Sequence, residues 1–334
     1  MHFSVIVPVY NSARTIGRTL ASLEEFYRAG DEVIVVDDHS AQDAGCLTRD
    51  YPVTLTVLPH HAGPATARNK GASISTHPWL FFVDSDVVCK PGTRALLVRL
   101  AARHDAMQWI YVPLSAVASI ATEYQNNYYY YVFSHISGRP TAVCGSFCFA
   151  IRRDLFIRAG GFDETIVVPT VEDEKLGYSL FEQGVDIYVC PELQVEHLAR
   201  YTLVEFVKRR FAMAYGQAQT FLKKKNPGSI KRFISLHASH KSHHLPSFLL
   251  GIVLLPFTYL ALAAFAGTLS PYALLAWAVC LVFILALNSG LLSSLAALSG
   301  RCPLGVFAIF LLDLHVLGAG ISYGLLDRLS QGRR

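Results

Sequence analysis

The sequence predicts an α/β fold built on a mostly parallel sheet and followed by an apolar helical region. Short β-branched runs alternate with segments of helical periodicity over the first hundred residues. Polar clusters directly follow three of these runs, and charged residues almost vanish after position 246. Hydrophobic residues make up 52% of the 334 residues and charged residues 16%, which excludes an intrinsically disordered chain.

The first strands and helices can be assigned in chain order. Apolar, β-branched runs suit strands that are buried on both faces of a parallel sheet. These runs are 3–9, 32–36, 53–58 and 79–83. Between the first two runs, apolar residues of 15–27 recur at spacings of three and four, which predicts a helix. Further helices are predicted over 64–75 and 91–103. The alternation of strand and helix predicts a doubly wound sheet.

Polar clusters stand at the ends of three predicted strands, at Tyr10–Ser12, Asp37–Ser40 and Asp84–Asp86. The carboxyl ends of the strands in such a sheet border one crevice, where ligands bind. We therefore expect the three clusters to converge there. In an alternative interpretation, each cluster only caps a helix or forms a turn.

The cluster at residues 84–86 indicates a metal site. Asp84 and Asp86 place two carboxylates two residues apart after a buried strand, and such hard oxygen ligands suit Mg²⁺ or Mn²⁺. No GxxxxGK[ST] or GxGxxG motif follows a strand, so a bound nucleotide would be held by metal and side chains. Arg68, one turn inside the helix that begins at Pro64, could reach a diphosphate.

The carboxyl-terminal region contains three apolar runs, 248–269, 272–295 and 304–326. Each is long enough to cross about 30 Å of hydrocarbon as a helix. We therefore predict a soluble domain over 1–220, a basic and His-rich linker over 221–246 and a transmembrane region over 247–334. Basic residues before the first run predict a multi-pass protein of the inner (plasma) membrane with a cytoplasmic catalytic domain.

The charges of this region leave its topology open. Three crossings would place Arg328, Arg333 and Arg334 outside the cell, against the positive-inside tendency. The third run is alternatively re-entrant or interfacial, and a buried helical hairpin in a soluble protein is a further alternative. The net charge is +4, and the first 200 positions contain no stripe of basic residues interleaved with aromatic ones. No nucleic-acid partner is therefore expected.

Several motifs resemble those of the family 2 glycosyltransferases, which have the Rossmann-like GT-A fold. The sequences VIVPVYNS, VDDHS, GPATARNKGA and FFVDSD occur in the family's order and spacing. The resemblance continues through residues 145–153 and 160–164, an "ED" motif at 171–173, and a closing segment that includes 195–197 and 208–210. It covers about residues 3–220.

The resemblance implies transfer of a sugar from a nucleotide-sugar donor with the help of Mn²⁺ or Mg²⁺. The implied donor-binding residues are Pro8, Tyr10, Asn11, Asp37, Asp38, Arg68, Asp84 and Ser85. The implied metal ligands are Asp84, Asp86 and His197, and His197 is alternatively a buried structural histidine. The acceptor side is expected to include Gly145, Ser146 and Arg210.

The "ED" motif supplies the candidate catalytic residues. Asp173 would remove the proton of the acceptor hydroxyl, and Glu172 would orient the base or the acceptor. Alternatively, both belong to an acidic cluster that the helix dipole favours at a helix N-terminus. From the apolar tail we expect a lipid or lipid-linked glycan as the acceptor at the cytoplasmic face. The alternatives are an inactive membrane scaffold of this fold and a nucleotidyltransferase.

Overall fold

The computed structural model describes residues 1–114, 119–138, 140–166, 171–223, 258 and 272–331. The chain divides into two compact units. Residues 1–112 and 136–199 form the first, which we call the catalytic unit, and residues 113–135 and 200–334 form the second, which we call the helical unit. The predicted domain boundary at residue 220 falls within a helix of the helical unit. The predicted first apolar run and nearly all of the linker lie outside the described residues.

The catalytic unit is built on a nine-stranded sheet. Its strands are β1 (Phe3–Val9), β2 (Glu32–Asp37), β3 (Thr54–Val57), β4 (Trp79–Val83), β5 (Val87–Cys89), β6 (Ala106–Tyr111), β7 (Pro140–Thr141), β8 (Cys148–Arg152) and β9 (Ile187–His197). The strand order is β3-β2-β1-β4-β8-β6-β9-β5, and β7 pairs with β9. This is the α/β architecture that the sequence predicts.

The sheet is parallel at one side and mixed at the other. β1 lies between β2 and β4, and β3 follows β2, all in parallel. β8 runs antiparallel between β4 and β6, while β6 and β9 are parallel. All residues of β1 and β4 are buried, as expected for strands that are covered on both faces. The parallel part therefore brings the ends of β1, β2 and β4 to one edge.

Among the described residues, eight helices occur in the sequence between β1 and β9. They are α1 (Ile16–Ser22), α2 (Glu24–Arg28), α3 (Ala44–Thr48), α4 (Pro64–Ile74), α5 (Thr93–Ala101), α6 (Ile120–Ile136), α7 (Arg153–Arg158) and α8 (Glu172–Glu182). The single helix predicted over 15–27 is divided, because Leu23 ends α1 and also precedes α2 with ψ near +10°. The core under α4 and α8 contains Ile6, Phe82, Phe149 and Leu176.

In the part of the chain that the structure describes, the helical unit contains most of α6 and four later helices. These are α9 (Leu203–Lys223), α10 (Tyr272–Leu287), α11 (Ser289–Ser299) and α12 (Pro303–Gln331). Tyr124 and Tyr128 of α6 are buried and stack on each other, so their rings serve packing within this unit. Tyr124 also donates a hydrogen bond to Asp313 of α12 over 2.9 Å.

Among the described residues, one helix is long and apolar enough to cross a membrane, namely Pro303–Arg328. The predicted run 272–295 is not one straight helix: it is broken at Asn288, and the flanking helices meet at 67°. This bent pair is a broken span or a re-entrant loop by length and composition. The structure thus confirms one candidate span, while the multi-pass arrangement stays a prediction.

Candidate active site

Hydrogen bonds join the loops that follow β1, β2 and β4. The backbone N–H of Asn11 donates to Ser40 Oγ over 2.9 Å, and Asn11 Oδ1 accepts from the N–H of Ala41 at the same distance. Asn11 has φ of +52°, a left-handed conformation that asparagine tolerates better than most residues. Ser12 Oγ lies 2.7 Å from Ser85 Oγ. The three polar clusters therefore converge, as the sequence predicts.

The carboxylate of Asp38 organises the loop in front of α4. Its two oxygens accept hydrogen bonds from the N–H groups of Ala62 and Gly63, over 2.7 and 2.8 Å. His61 Nδ1 lies 2.9 Å from the same carboxylate, and the His61 ring stacks on Tyr10 with 4.0 Å between centroids. Tyr10 is 47% exposed, so the edge of this stack offers an aromatic surface to a ligand.

Arg68 connects the end of β4 with the start of α8. Its Nη2 donates to Asp84 Oδ1 over 2.7 Å, and its Nη1 donates to Glu172 Oε1 over 3.1 Å. The Arg68 and Glu172 side chains are buried, whereas Asp84 is partly exposed. A helix residue near the first turn of α4 thus holds together two carboxylates that are far apart in the sequence.

This arrangement shifts the pKa of three groups. Burial alone would lower the pKa of Arg68, but the carboxylates of Asp84 and Glu172 raise it, so the guanidinium stays charged. Burial raises the pKa of Asp84, and Asp86 adds to this shift while Arg68 opposes it. Burial also raises the pKa of Asp173 well above its usual range, and repulsion from Glu172 and Glu174 raises it further. Strong shifts of this kind are typical of functional sites.

Asp173 lies where the segment after β7 meets α8. Its Oδ2 accepts a hydrogen bond from the N–H of Ser146 over 3.2 Å, and its Oδ1 accepts from the N–H of Glu174. The neighbouring Gly145 donates its N–H to Gln108 Oε1 over 2.7 Å, which anchors this segment to β6. Gly145 and Ser146 are therefore next to the candidate base, and their place on the acceptor side stays a prediction.

Asp86 and His197 face each other across the end of the sheet. His197 Nε2 lies 3.4 Å from Asp86 Oδ2, and β5 pairs with the end of β9 so that the two residues are held on adjoining elements. The His197 ring stacks on Tyr111, which stacks in turn on Phe147. A carboxylate oxygen and an imidazole nitrogen at this distance fit a divalent ion that takes its other ligands from phosphate and water.

Two further observations limit this metal site. Asp84 Oδ1 already accepts from Arg68, so Asp84 is less suited than Asp86 to bind an ion directly. In the part of the chain that the structure describes, no group of three or more His, Cys, Asp or Glu residues could hold a metal. The described residues therefore offer two facing donors rather than a closed protein cage.

The structure brings together nearly all the predicted site residues. Pro8 lies in β1 opposite Val36, and Asp37 accepts from Ser40, so both support the loops that carry Tyr10, Asn11 and Asp38. Arg210 differs, because it belongs to the helical unit, where its guanidinium is buried and bonded by Asp313. The predicted functions of these residues stay predictions.

Sequence reasoning missed two aromatic partners of the site. His61 stands two residues before the Gly-Pro that opens α4, inside a segment already singled out, but nothing in the sequence shows its stacking on Tyr10. Tyr111 ends β6, a strand that the sequence analysis did not assign, and its contact with His197 joins residues far apart in the chain.

Comparison with known proteins identifies the class. Residues 4–160 match the family model described as "Glycosyl transferase family 2". The chain is 27% identical over 173 residues to an uncharacterized glycosyltransferase of Haemophilus influenzae, covering 49% of this chain and 57% of that protein. It is 29% identical over 225 residues to the pre-mycofactocin glycosyltransferase of Mycobacterium tuberculosis, covering 62% and 45%. The chain thus spans about half the length of these relatives.

A solved structure shows the same fold over nearly the whole chain. The mannosyltransferase PcManGT from Pyrobaculum calidifontis, in complex with GDP-Man and Mn²⁺, has a TM-score of 0.64 and 22% identity and covers 98% of this chain and 87% of its own. The protein therefore has the GT-A fold. Together with the family match, this shows that residues 4–160 are a glycosyl transferase family 2 domain.

Proposed function

We propose that this protein transfers a sugar from a nucleotide-sugar donor to an acceptor hydroxyl, with inversion at the anomeric carbon. The observation that carries the proposal is the Arg68 bridge between Asp84, at the donor end of β4, and Glu172, beside Asp173. It joins the acidic loop of residues 84–86 to the start of α8, which carries Asp173. Family membership supports the reaction class.

The residues of the site divide the reaction between them. The Asp173 carboxylate takes the proton of the acceptor hydroxyl as its oxygen forms a bond to the anomeric carbon. The bond from that carbon to the donor phosphate breaks, and its electron pair leaves with the nucleoside diphosphate. The Tyr10 ring, which stacks on His61, offers its exposed part to the nucleobase of the donor. Asp38 holds the loop in front of α4 in place. Attack from the face opposite the leaving group inverts the centre.

A divalent ion fits this scheme at Asp86 and His197, whose donor atoms face each other at 3.4 Å. Such an ion, when bound, would offset the charge that develops on the leaving diphosphate. The presence of Mn²⁺ and GDP-Man in the PcManGT complex supports this assignment. Arg68 would act from its buried position and keep Asp84 oriented toward the donor.

The acceptor is proposed to be a lipid or a lipid-linked glycan at the cytoplasmic face of the membrane. The support is the apolar helix Pro303–Arg328 and the exposed apolar side of α10, which includes Val279, Val282 and Phe283. Large apolar surfaces of this kind mark membrane or protein interaction sites. Proximity of the catalytic unit to the bilayer would let it use an acceptor that does not leave the membrane.

The test is nucleotide release by detergent-purified protein with Mn²⁺ or Mg²⁺ and a panel of UDP-, GDP- and dTDP-sugars. Metal-dependent binding of each nucleotide is measured alongside. We expect one donor to be turned over, and we expect Asp173→Asn to lose about 10²–10⁴-fold in rate because the general base is removed. Asp86→Ala should lose both turnover and metal-dependent binding, while Asp173→Asn keeps the binding.

Asp154→Asn provides the matched control. Asp154 is an exposed carboxylate on α7 that accepts hydrogen bonds from Arg152, so its loss should leave turnover unchanged. Equal activity of Asp173→Asn and the control would show that Asp173 is not the general base. A lack of both release and metal-dependent nucleotide binding would overturn the donor site and favour an inactive scaffold.

A further inference from the structure

Within the helical unit, α9 and α12 pack in parallel. Arg210 of α9 bonds Asp313 of α12 through both Nε and Nη2, at 2.5 and 2.6 Å. Two turns further along α9, Gln219 donates to the carbonyl of Gly324. Partners therefore advance in the same direction along both helices, and each carboxyl end lies beside the other.

Small residues allow this close approach. A Cβ added to Gly320 would lie 2.8 Å from Ala214 Cβ, and one added to Gly324 would lie 2.8 Å from Ala218 Cβ. Glycines spaced by four on one helix and alanines spaced by four on the other let the backbones meet. At the far end, Tyr215 donates to Asp327 over 2.6 Å. The contact thus extends from Asp313 to Asp327, about 21 Å along α12.

α9 is too short to cross a membrane between its charged ends. Its uncharged segment is 211–222, bounded by Arg210 and Lys223, and extends about 18 Å. The hydrocarbon core is about 30 Å thick. Since α9 begins six residues after β9 of the catalytic unit, both of its ends stay on the membrane face that carries this unit.

We propose that the carboxyl end of α12 lies on the same membrane face as the catalytic unit, at the anionic lipid headgroups. The inference rests on the proposed membrane association and extends it to sidedness. Arg328 near the end of α12 lies toward the end of α9, and the sequence adds Lys224, Lys225, Arg333 and Arg334 to these two ends. Basic residues at one face satisfy the positive-inside tendency, which three crossings would violate.

Cysteine labelling in oriented membrane vesicles tests this sidedness with the full chain. Cys46 is exposed on the catalytic unit and is a native reference, while Ser330 is exposed near the end of α12. One variant keeps Cys46 and carries Cys302→Ser. The other carries Cys46→Ser, Cys302→Ser and Ser330→Cys. A parent with both serine replacements gives the background for a membrane-impermeant maleimide.

We expect both variants to be labelled in the same vesicle orientation and to lose labelling in the opposite one. Labelling of Cys46 and Ser330→Cys in opposite orientations would overturn the proposal. Recovery of the protein in the soluble fraction would remove its premise of membrane association. None of these readouts depends on catalysis, so they are separate from a failure of the proposed transfer reaction.

A charge exchange tests the parallel helix pair itself. Arg210→Asp or Asp313→Arg alone places like charges together in the buried contact and should reduce the yield of folded protein in detergent. The double variant Arg210→Asp/Asp313→Arg restores an opposite pair at the same register and should recover yield and vesicle labelling. No recovery in the double variant, with both single variants as poor as the double, would contradict the pairing.

Discussion

At the residue scale, the site depends on how charges are compensated. Arg68 and Glu172 are both buried, yet they form a bonded pair that also includes Asp84. A buried ion pair contributes little net stability, but removal of one partner leaves a charge without compensation. The guanidinium that bonds Asp84 after β4 is therefore expected to be needed for folding of the catalytic unit.

Replacement of Arg68 by Met is predicted to destabilise the protein by about 3–5 kcal/mol, since Asp84 and Glu172 lose their shared cation. Arg152→Met is the matched control, because the pairs of Arg152 with Asp105 and Asp154 are exposed and worth at most about 1 kcal/mol. Thermal unfolding in detergent measures the difference. Equal shifts in the two variants would show that the Arg68 bridge is not needed for stability.

The pH dependence of transfer is predicted from Asp173. Burial, Glu172 and Glu174 raise its pKa, and a general base must be deprotonated to act. The acid limb of kcat/KM should therefore lie above the usual titration range of an aspartate. Glu174→Gln removes one source of repulsion, so it should lower the Asp173 pKa and move this limb to lower pH.

Asp163→Asn serves as the control for this titration, because Lys175 and Thr165 hold the pKa of Asp163 down at about 2 despite its partial burial. Asp163 is not among the groups that shift the Asp173 pKa. Its replacement should leave the limb in place. An unmoved limb in Glu174→Gln would argue that another group sets it.

At the element scale, the close contact of α8 with the segment after β7 positions the candidate base. Gly177 of α8 faces the carbonyl of Ala142, and a Cβ at Gly177 would lie 2.1 Å from that oxygen. A backbone carbonyl cannot move aside as a flexible side chain can. The glycine is therefore required for α8 to lie where Asp173 meets Ser146.

Gly177→Ala is accordingly predicted to lower the unfolding free energy by about 1–3 kcal/mol through overpacking. It should also reduce kcat, because α8 must shift together with Asp173. The control is Glu182→Ala at an exposed position of the same helix, where alanine favours the helix and creates no clash. A stable and fully active Gly177→Ala variant would show that α8 tolerates displacement.

Elements also show what the sequence can and cannot determine. β1 and β4 were predictable to the residue, because an uninterrupted apolar run has a clear boundary where polar residues begin. The position of Asp84 and Asp86 directly after β4 then predicted that they belong to the candidate site. β8 was not assigned, because its antiparallel place between β4 and β6 depends on partners far away in the chain. The hydrogen bond between Arg68 and Glu172 could not be predicted either, because these residues are also far apart in the chain.

At the scale of the whole molecule, two units of different surface chemistry are joined in one chain. The catalytic unit exposes few large apolar side chains, among them Val57 and Ile157. The helical unit exposes a continuous set on α10, which comprises Leu275, Val279, Val282, Phe283 and Leu287. Spacings of three and four place most of this set on one side of the helix. Apolar area, rather than charge alone, is therefore expected to hold the protein to a membrane.

Attachment through apolar area predicts how the protein responds to a wash of the membranes with salt. Wild-type protein should stay with membranes in high salt, which screens charge but does not weaken apolar burial. Val279→Lys/Phe283→Lys should be released, because each change loses about 1.5–3 kcal/mol of burial and adds a charge that is costly in lipid. The measurement is the soluble fraction after a salt wash.

The matched control places the same lysines on exposed apolar positions of the catalytic unit, as Val57→Lys/Ile157→Lys. Both double variants add two positive charges, so any difference between them reports where the apolar contact lies. Release of the α10 variant alone would locate the membrane contact on the helical unit, because the loss of apolar burial there outweighs the gain in attraction to anionic lipids. Equal retention of both variants would mean that α10 does not contribute, and the attachment would then come from α12 or from the predicted apolar run 248–269.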